Sequence, residues 1–139
     1  MNTDEIKAEL LVLDYDCEPD EITKALNLEP TRIIHKGDIK RADPTGARPP
    51  LLYDKNAWVL EFDAVHTAVV EDHILVLLQK LAPQKDSINA LAGKYYVELS
   101  IYGFNPHASR LAIHLNKETI RLAAELDINL DIDIYPEEG

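Results

Sequence analysis

Two hydrophobic periods alternate along this chain. They predict an α+β fold, with one mixed, mostly antiparallel sheet and helices packed on one of its faces. Residues 57–63 alternate with a period of two, setting Trp58, Leu60 and Phe62 against Val59, Glu61 and Asp63. Residues 68–81 instead place Val70, Ile74, Leu77, Leu78 and Leu81 on one helical stripe. Strand, helix, strand recurs three times, giving the order βαββαββαβ.

The elements follow in turn. Residues 7–16 (KAELLVLDYD) put Leu11, Leu13 and Tyr15 on one side and Leu10 and Val12 on the other, a strand expected to be buried on both faces in its first half. Pro19 stands at a first helical position, and Asp20 and Glu21 follow where the helix dipole favours anions. Ile22, Ala25 and Leu26 form the inward stripe, and Pro30 marks the exit. Residues 31–35 (TRIIH) read as a short second strand. Residues 37–56 carry Gly, Pro and Asp clusters without periodicity, so they are expected to be mostly loop, with a short strand around 51–53. A loop this long in a compact domain is functional, mobile, or conceals a strand.

Pro83 ends the helix of residues 68–81, and a further helical turn over 86–91 is closed by Gly93. The longest strand is 94–104 (KYYVELSIYGF). The Asn105-Pro106-His107 turn then leads into a hairpin partner at 110–115. Asn116 caps a helix through Leu126 with Ile120, Ala123 and Ala124 inward, before a last strand over 128–135. Two βαβ units back to back make a ferredoxin-like split βαβ arrangement, which is the architecture expected. The expected core is Trp58, Leu60, Phe62, Ile74, Leu78, Val97, Leu99, Leu111, Ile113, Ile132 and Ile134.

With 139 residues, 46% of them apolar and 28% charged, the chain suits a single domain over 1–139 with an ordered core of about 7–135. The lone Cys17 excludes an internal disulfide and a cysteine zinc site. The N-terminus lacks the pattern of a secretory signal, and the apolar run 74–78 is far short of the roughly 20 residues of a membrane span. A cytoplasmic location is expected. The net charge of −11 opposes binding to a phosphate backbone and favours basic partners, so neither nucleic acid nor membrane is an expected partner.

Short motifs recur in a fixed order: Pro19-Asp20-Glu21-Ile22-Thr23 at a helix start, then Leu28-Glu29-Pro30-Thr31-Arg32 leading into Lys36-Gly37-Asp38. Asn56-Ala57-Trp58 opens a strand, and residues 126–135 close the series. Over residues 8–135 this series resembles a bacterial domain-of-unknown-function family, number 4279. The resemblance implies a compact bacterial α+β domain and carries no activity with it.

No catalytic residue stands out. Cys17 has no adjacent base, and the chain has no GxSxG elbow, P-loop or GxGxxG turn. His35, His66, His73, His107 and His114 show no ligand spacing, so no metal or cofactor is assigned. Two surfaces remain. Asp14, Asp16, Glu61, Asp63, Glu98, Asp131 and Asp133 are expected on an open sheet face beside Tyr96, Tyr102 and Tyr135, suited to a basic protein partner. Residues 31–50 hold Arg32, Lys36, Lys40, Arg41 and Arg48 against Asp38 and Asp43, net +3, which leaves −14 for the remainder. There Arg32, His35, Lys36, Gly37 and Arg48, with Trp58 beside them, are the candidate binding residues for a small anion. The function expected is a non-catalytic interaction module, immunity- or inhibitor-like. The alternatives are a small-anion-binding domain or enzyme centred on residues 31–50, and a self-associating subunit forming a homodimer.

Overall fold

The computed structural model describes residues 5–65, 69–104 and 113–135. In chain order the elements are β1 (Glu5–Leu13), α1 (Pro19–Leu26), β2 (Arg32–Ile34), β3 (Ile39–Arg41), β4 (Leu51–Leu52), β5 (Ala57–Val65), α2 (Val70–Leu81), a 3₁₀ turn (Ala82–Gln84), α3 (Lys85–Ala92), β6 (Tyr96–Phe104), α4 (Lys117–Leu126) and β7 (Asn129–Tyr135). The class is α+β. Five strands form a mixed sheet in the order β2-β5-β1-β6-β7, and β3 and β4 form a separate two-stranded arm.

Strand β1 is antiparallel to both β5 and β6, β2 is antiparallel to β5, and β7 is parallel to β6. It follows that β1 and β2 run the same way with β5 between them, and β5 and β6 run the same way with β1 between them. These two βαβ units are interleaved rather than back to back. Only β6-α4-β7 joins adjacent parallel strands, which need a crossover of this length.

Alternation decides which face is covered. Ile6, Ala8, Leu10 and Val12 of β1 point to one side with Trp58, Val97, Leu99 and Ile101, and all are buried. Against them pack Ile22 and Leu26 of α1, the full α2 stripe, Ile88 and Leu91 of α3, and Ala123 and Leu126 of α4. All the described helices thus lie on one face. Trp58 has no exposed surface, and its indole N–H donates to Thr23 Oγ1 at 3.0 Å, which satisfies the one polar atom its burial would otherwise strand.

Local chemistry sets the helix ends. Pro19 occupies the first turn of α1, and Asn27 closes it in the left-handed region at φ 54°. Asn116 Oδ1 accepts from both the N–H and the hydroxyl of Thr119 at 2.9 Å, capping α4, and Asp127 ends that helix at φ 60°. Gly103 at φ 152° lies so close to β1 that a Cβ there would overlap the Glu5 carbonyl oxygen.

Several expectations need correction. In β1 the doubly covered half is the second, where Leu11 and Leu13 are half-buried, whereas Lys7 is exposed. Helix α4 turns Thr119, Ala123 and Leu126 inward and leaves Ile120 56% exposed, because the cap fixes Thr119 against the core. Residues 113–116 form no strand, Ile113 is 38% exposed, and the remainder of the expected hairpin partner, Leu111 included, lies outside the described residues. Ile132 and Ile134 are only half-buried because β7 is an edge strand, and Leu60 and Phe62 are half-buried as well. The long loop contains β3, which its sequence did not announce, as well as β4.

Candidate functional site

The face of the sheet turned away from the helices is built by the other half of each alternation. Register aligns its rows. Lys7 opposes Tyr102, which opposes Asp133; Glu9 lies between Glu61 and Ser100, which pairs with Asp131; Leu11 opposes Glu98, which opposes Asn129. Glu5, Glu9, Glu61, Asp63, Glu98, Asp131 and Asp133 therefore share a surface with the cations Lys7 and Arg32, a balance of seven against two. Tyr96 and Tyr102 lie among them, with Tyr135 at the end of β7. Tyr96 donates to Glu98 Oε1 at 2.7 Å and Tyr135 to Asp133 Oδ2 at 2.9 Å, and each bond holds the phenol's pKa above its usual value.

At the centre of this face lies Glu9, its side chain 13% exposed. Arg32 stands 3.7 Å from both Glu9 and Glu61. That distance attracts the charges but is too long for a hydrogen bond, and Glu9 Oε2 is buried without any hydrogen-bond partner. Burial pushes the Glu9 carboxyl up, Arg32 opposes that, and Glu61 and Glu98 add to it. Tyr102 is likewise raised, first by burial and then by Glu9 and Glu61.

One end of the same face is apolar. Ile34, Ala57 and Val59 are buried there with Leu11, Leu13 and Tyr53 packed on them. From this end the β3–β4 arm springs. Gly37, at φ 96°, donates its N–H to the Tyr53 carbonyl, and the Tyr53 N–H returns to that of Asp38, both at 2.9 Å. Asn56 ties the base down: its Oδ1 accepts from the Lys36 N–H at 2.8 Å while its Nδ2 donates to the Tyr15 carbonyl at 3.0 Å. At the tip, Asp43 accepts from the N–H and hydroxyl of Thr45 and from the Arg48 N–H, and these bonds lower its pKa.

The candidate anion-binding residues fall in separate places. Arg32 lies on the sheet beside Glu9 and Glu61, and His35, Lys36 and Gly37 form the turn into the arm. Arg48 lines a hollow at the arm tip with Arg41 and Asp43. Trp58 is in the core. The cradle of N–H groups at that tip, where an anion would bind, is already filled by the Asp43 carboxylate. Among the acidic residues, Asp14 and Asp16 require correction: both follow the end of β1, Asp14 in the left-handed region at φ 57° and Asp16 accepting from Tyr95 OH at 2.8 Å. A turn there breaks the alternation that placed them on the sheet.

Elsewhere, Cys17 borders a cleft of about 790 Å³ between α1 and α3, with Lys24, Ser87, Lys94 and Tyr95 also on its walls. His73 is half-buried, with burial and then Lys80 lowering its pKa. His66 and His107 lie outside the described residues. Among the described residues no group of three His, Cys, Asp or Glu is placed to hold a metal ion, and no helix is long and apolar enough to cross a membrane. Sequence pattern missed Glu9 and Asn56. Glu9 sits inside an apolar run, and its one signal is that it shares the outward parity of Lys7.

Fold and surface together define an α+β protein whose sheet is sealed by helices on one side and open, acidic and tyrosine-bearing on the other. The chain belongs to the family described as Domain of unknown function (DUF4279), which it matches over residues 4–137, as its ordered motifs implied. No curated protein and no solved structure matches it.

Proposed function

We propose that this protein is a non-catalytic interaction module whose open sheet face receives a basic partner, in the manner of an immunity or inhibitor protein. One observation carries this: seven carboxylates against two cations surround exposed and half-exposed tyrosines on a sheet face that no described helix covers. Tyrosine offers contact area at low entropic cost, and complementary charge steers a basic partner to the face and orients it. The lone cysteine and the net charge of −11 fit a reducing, cytoplasmic setting and argue against nucleic acid as the partner. A small anion at the arm is less favoured, since Asp43 occupies the donors it would need.

Titration of the isotope-labelled protein with a lysine-rich peptide tests the proposal. Amide shifts should concentrate in β1, β6 and β7, and should vanish in a Glu98→Lys, Asp131→Lys variant or when salt is raised to about 0.5 M. Shifts spread evenly over the molecule, or centred on the cleft beside Cys17, would remove the open face as the binding surface.

A further inference from the structure

The arm is the part of this molecule least able to stand alone. Strand β3 has three residues and β4 two, and every one of them is exposed, including Ile39 at 62% and Leu51 and Leu52 at 51% each. A two-stranded ribbon of this size is marginal in water even without exposed aliphatic side chains. Its charge is opposite to that of the sheet: Lys36, Lys40, Arg41 and Arg48 outnumber Asp38 and Asp43. Both of those carboxylates are turned onto backbone N–H groups, Asp38 onto His35 and Asp43 onto Thr45 and Arg48. Tyr53 packs from the arm onto the apolar end of its own sheet face, while the strands β3 and β4 stay exposed.

We infer that the basic partner of the open acidic face is the arm of a second copy of this chain, in a reciprocal dimer. Each copy has one acidic face and one basic arm that no other described element covers, so a twofold arrangement pairs face with arm on both copies at once. Ile39, Leu51 and Leu52 would cover the tyrosines of the facing sheet, while Lys40, Arg41 and Arg48 meet Glu98, Asp131 and Asp133. Two such contacts, each burying an arm of about a dozen residues, suit the roughly 1,200–2,000 Å² of a stable interface. This rests on the proposal that the open face is a docking surface, and it adds the identity of the occupant.

Sedimentation equilibrium on the full chain tests it. Twice the monomer mass is expected at about 0.05 M salt, falling toward the monomer mass at about 0.5 M as the charges are screened. An Arg41→Glu, Arg48→Glu variant and a Glu98→Lys, Asp131→Lys variant should each be monomeric, with far-UV circular dichroism confirming that each stays folded. Mixed in equal amounts they should recover the doubled mass, because the reversed arm then fits the reversed face. That recovery is one a merely misfolded variant cannot produce. A wild-type chain that is monomeric at low salt, or dimeric variants that ignore both reversals, would overturn the inference. If the wild type is monomeric but the lysine-rich peptide still shifts β1, β6 and β7, only the self-association falls. If the peptide fails as well, the docking face falls with it.

Discussion

The two faces of the sheet are written by alternate residues of the same strands and meet different surroundings. On β1, Ile6, Ala8, Leu10 and Val12 are sealed under helices, while Lys7 and Glu9 between them face outward. On the covered side the polar groups of Trp58 and Thr119 have partners in Thr23 and Asn116, whereas the Tyr15 hydroxyl and His73 Nε2 are buried without one. On the open side Glu9 is mostly shut away from water by its neighbours, yet its Oε2 receives no hydrogen bond. The contrast assigns the packed core to one face and leaves the other open among the described residues, with Glu9 half-withdrawn from water on the open side.

The largest expected effect lies on the covered face. Leu78→Ala should cost about 2–5 kcal/mol in denaturant melts, because a fully buried leucine leaves a cavity, whereas Glu98→Ala on the open face should stay within about 0.5 kcal/mol. Comparable losses at the two positions would break the comparison. Next comes Gly103→Ala, expected to cost roughly 1–3 kcal/mol through a strained φ and overlap with the β1 backbone. An unchanged melt would mean that β1 and β6 can separate freely at that point.

The smallest effect is also the sharpest, because it has a sign. Burial raises the Glu9 pKa, so the folded protein holds that proton more tightly than the unfolded chain does. Stability associated with Glu9 is therefore lost as pH rises from the ordinary carboxyl value through the raised one. Glu9→Gln should raise the thermal midpoint at neutral pH, with the gain shrinking to nothing below about pH 4, where glutamate is protonated in both states. A lowered midpoint at neutral pH would show that attraction to Arg32 outweighs the cost of burial.

Much of the covered face was legible because a single period specified it. All five α2 stripe residues are buried, Pro19 and Asn116 start their helices as their chemistry dictates, and Trp58 is inward. Where a neighbour decides, pattern fell short. The stripe of α4 shifts from Ile120 to Thr119 because the cap and the packing set the helix rotation. The arm has no period to read: its pairing depends on a left-handed Gly37 and on Asn56, which meets Lys36 across 20 positions of chain. On the open face, alternation alone placed Glu61, Glu98, Asp131, Asp133 and the tyrosines. The grouping of Arg32 with Glu9 and Glu61 could not be read that way, since it needs the registers of β1, β2 and β5 together.

The central position of β1 has a consequence for how the chain is made. Strand β1 precedes the other described strands in the chain, yet both of its neighbours in the sheet arrive far later: Ile6 waits for Val65, and Glu5 for Phe104. Until then β1 is an apolar ribbon with both edges open, the kind of segment that pairs with other nascent chains. Local helices such as α1 and α2 can form early, but closing the sheet means paying the loop entropy of about a hundred residues before its middle is satisfied. Lys7 and Glu9, charges set within that ribbon, act as gatekeepers during this interval as well as residues of the finished surface.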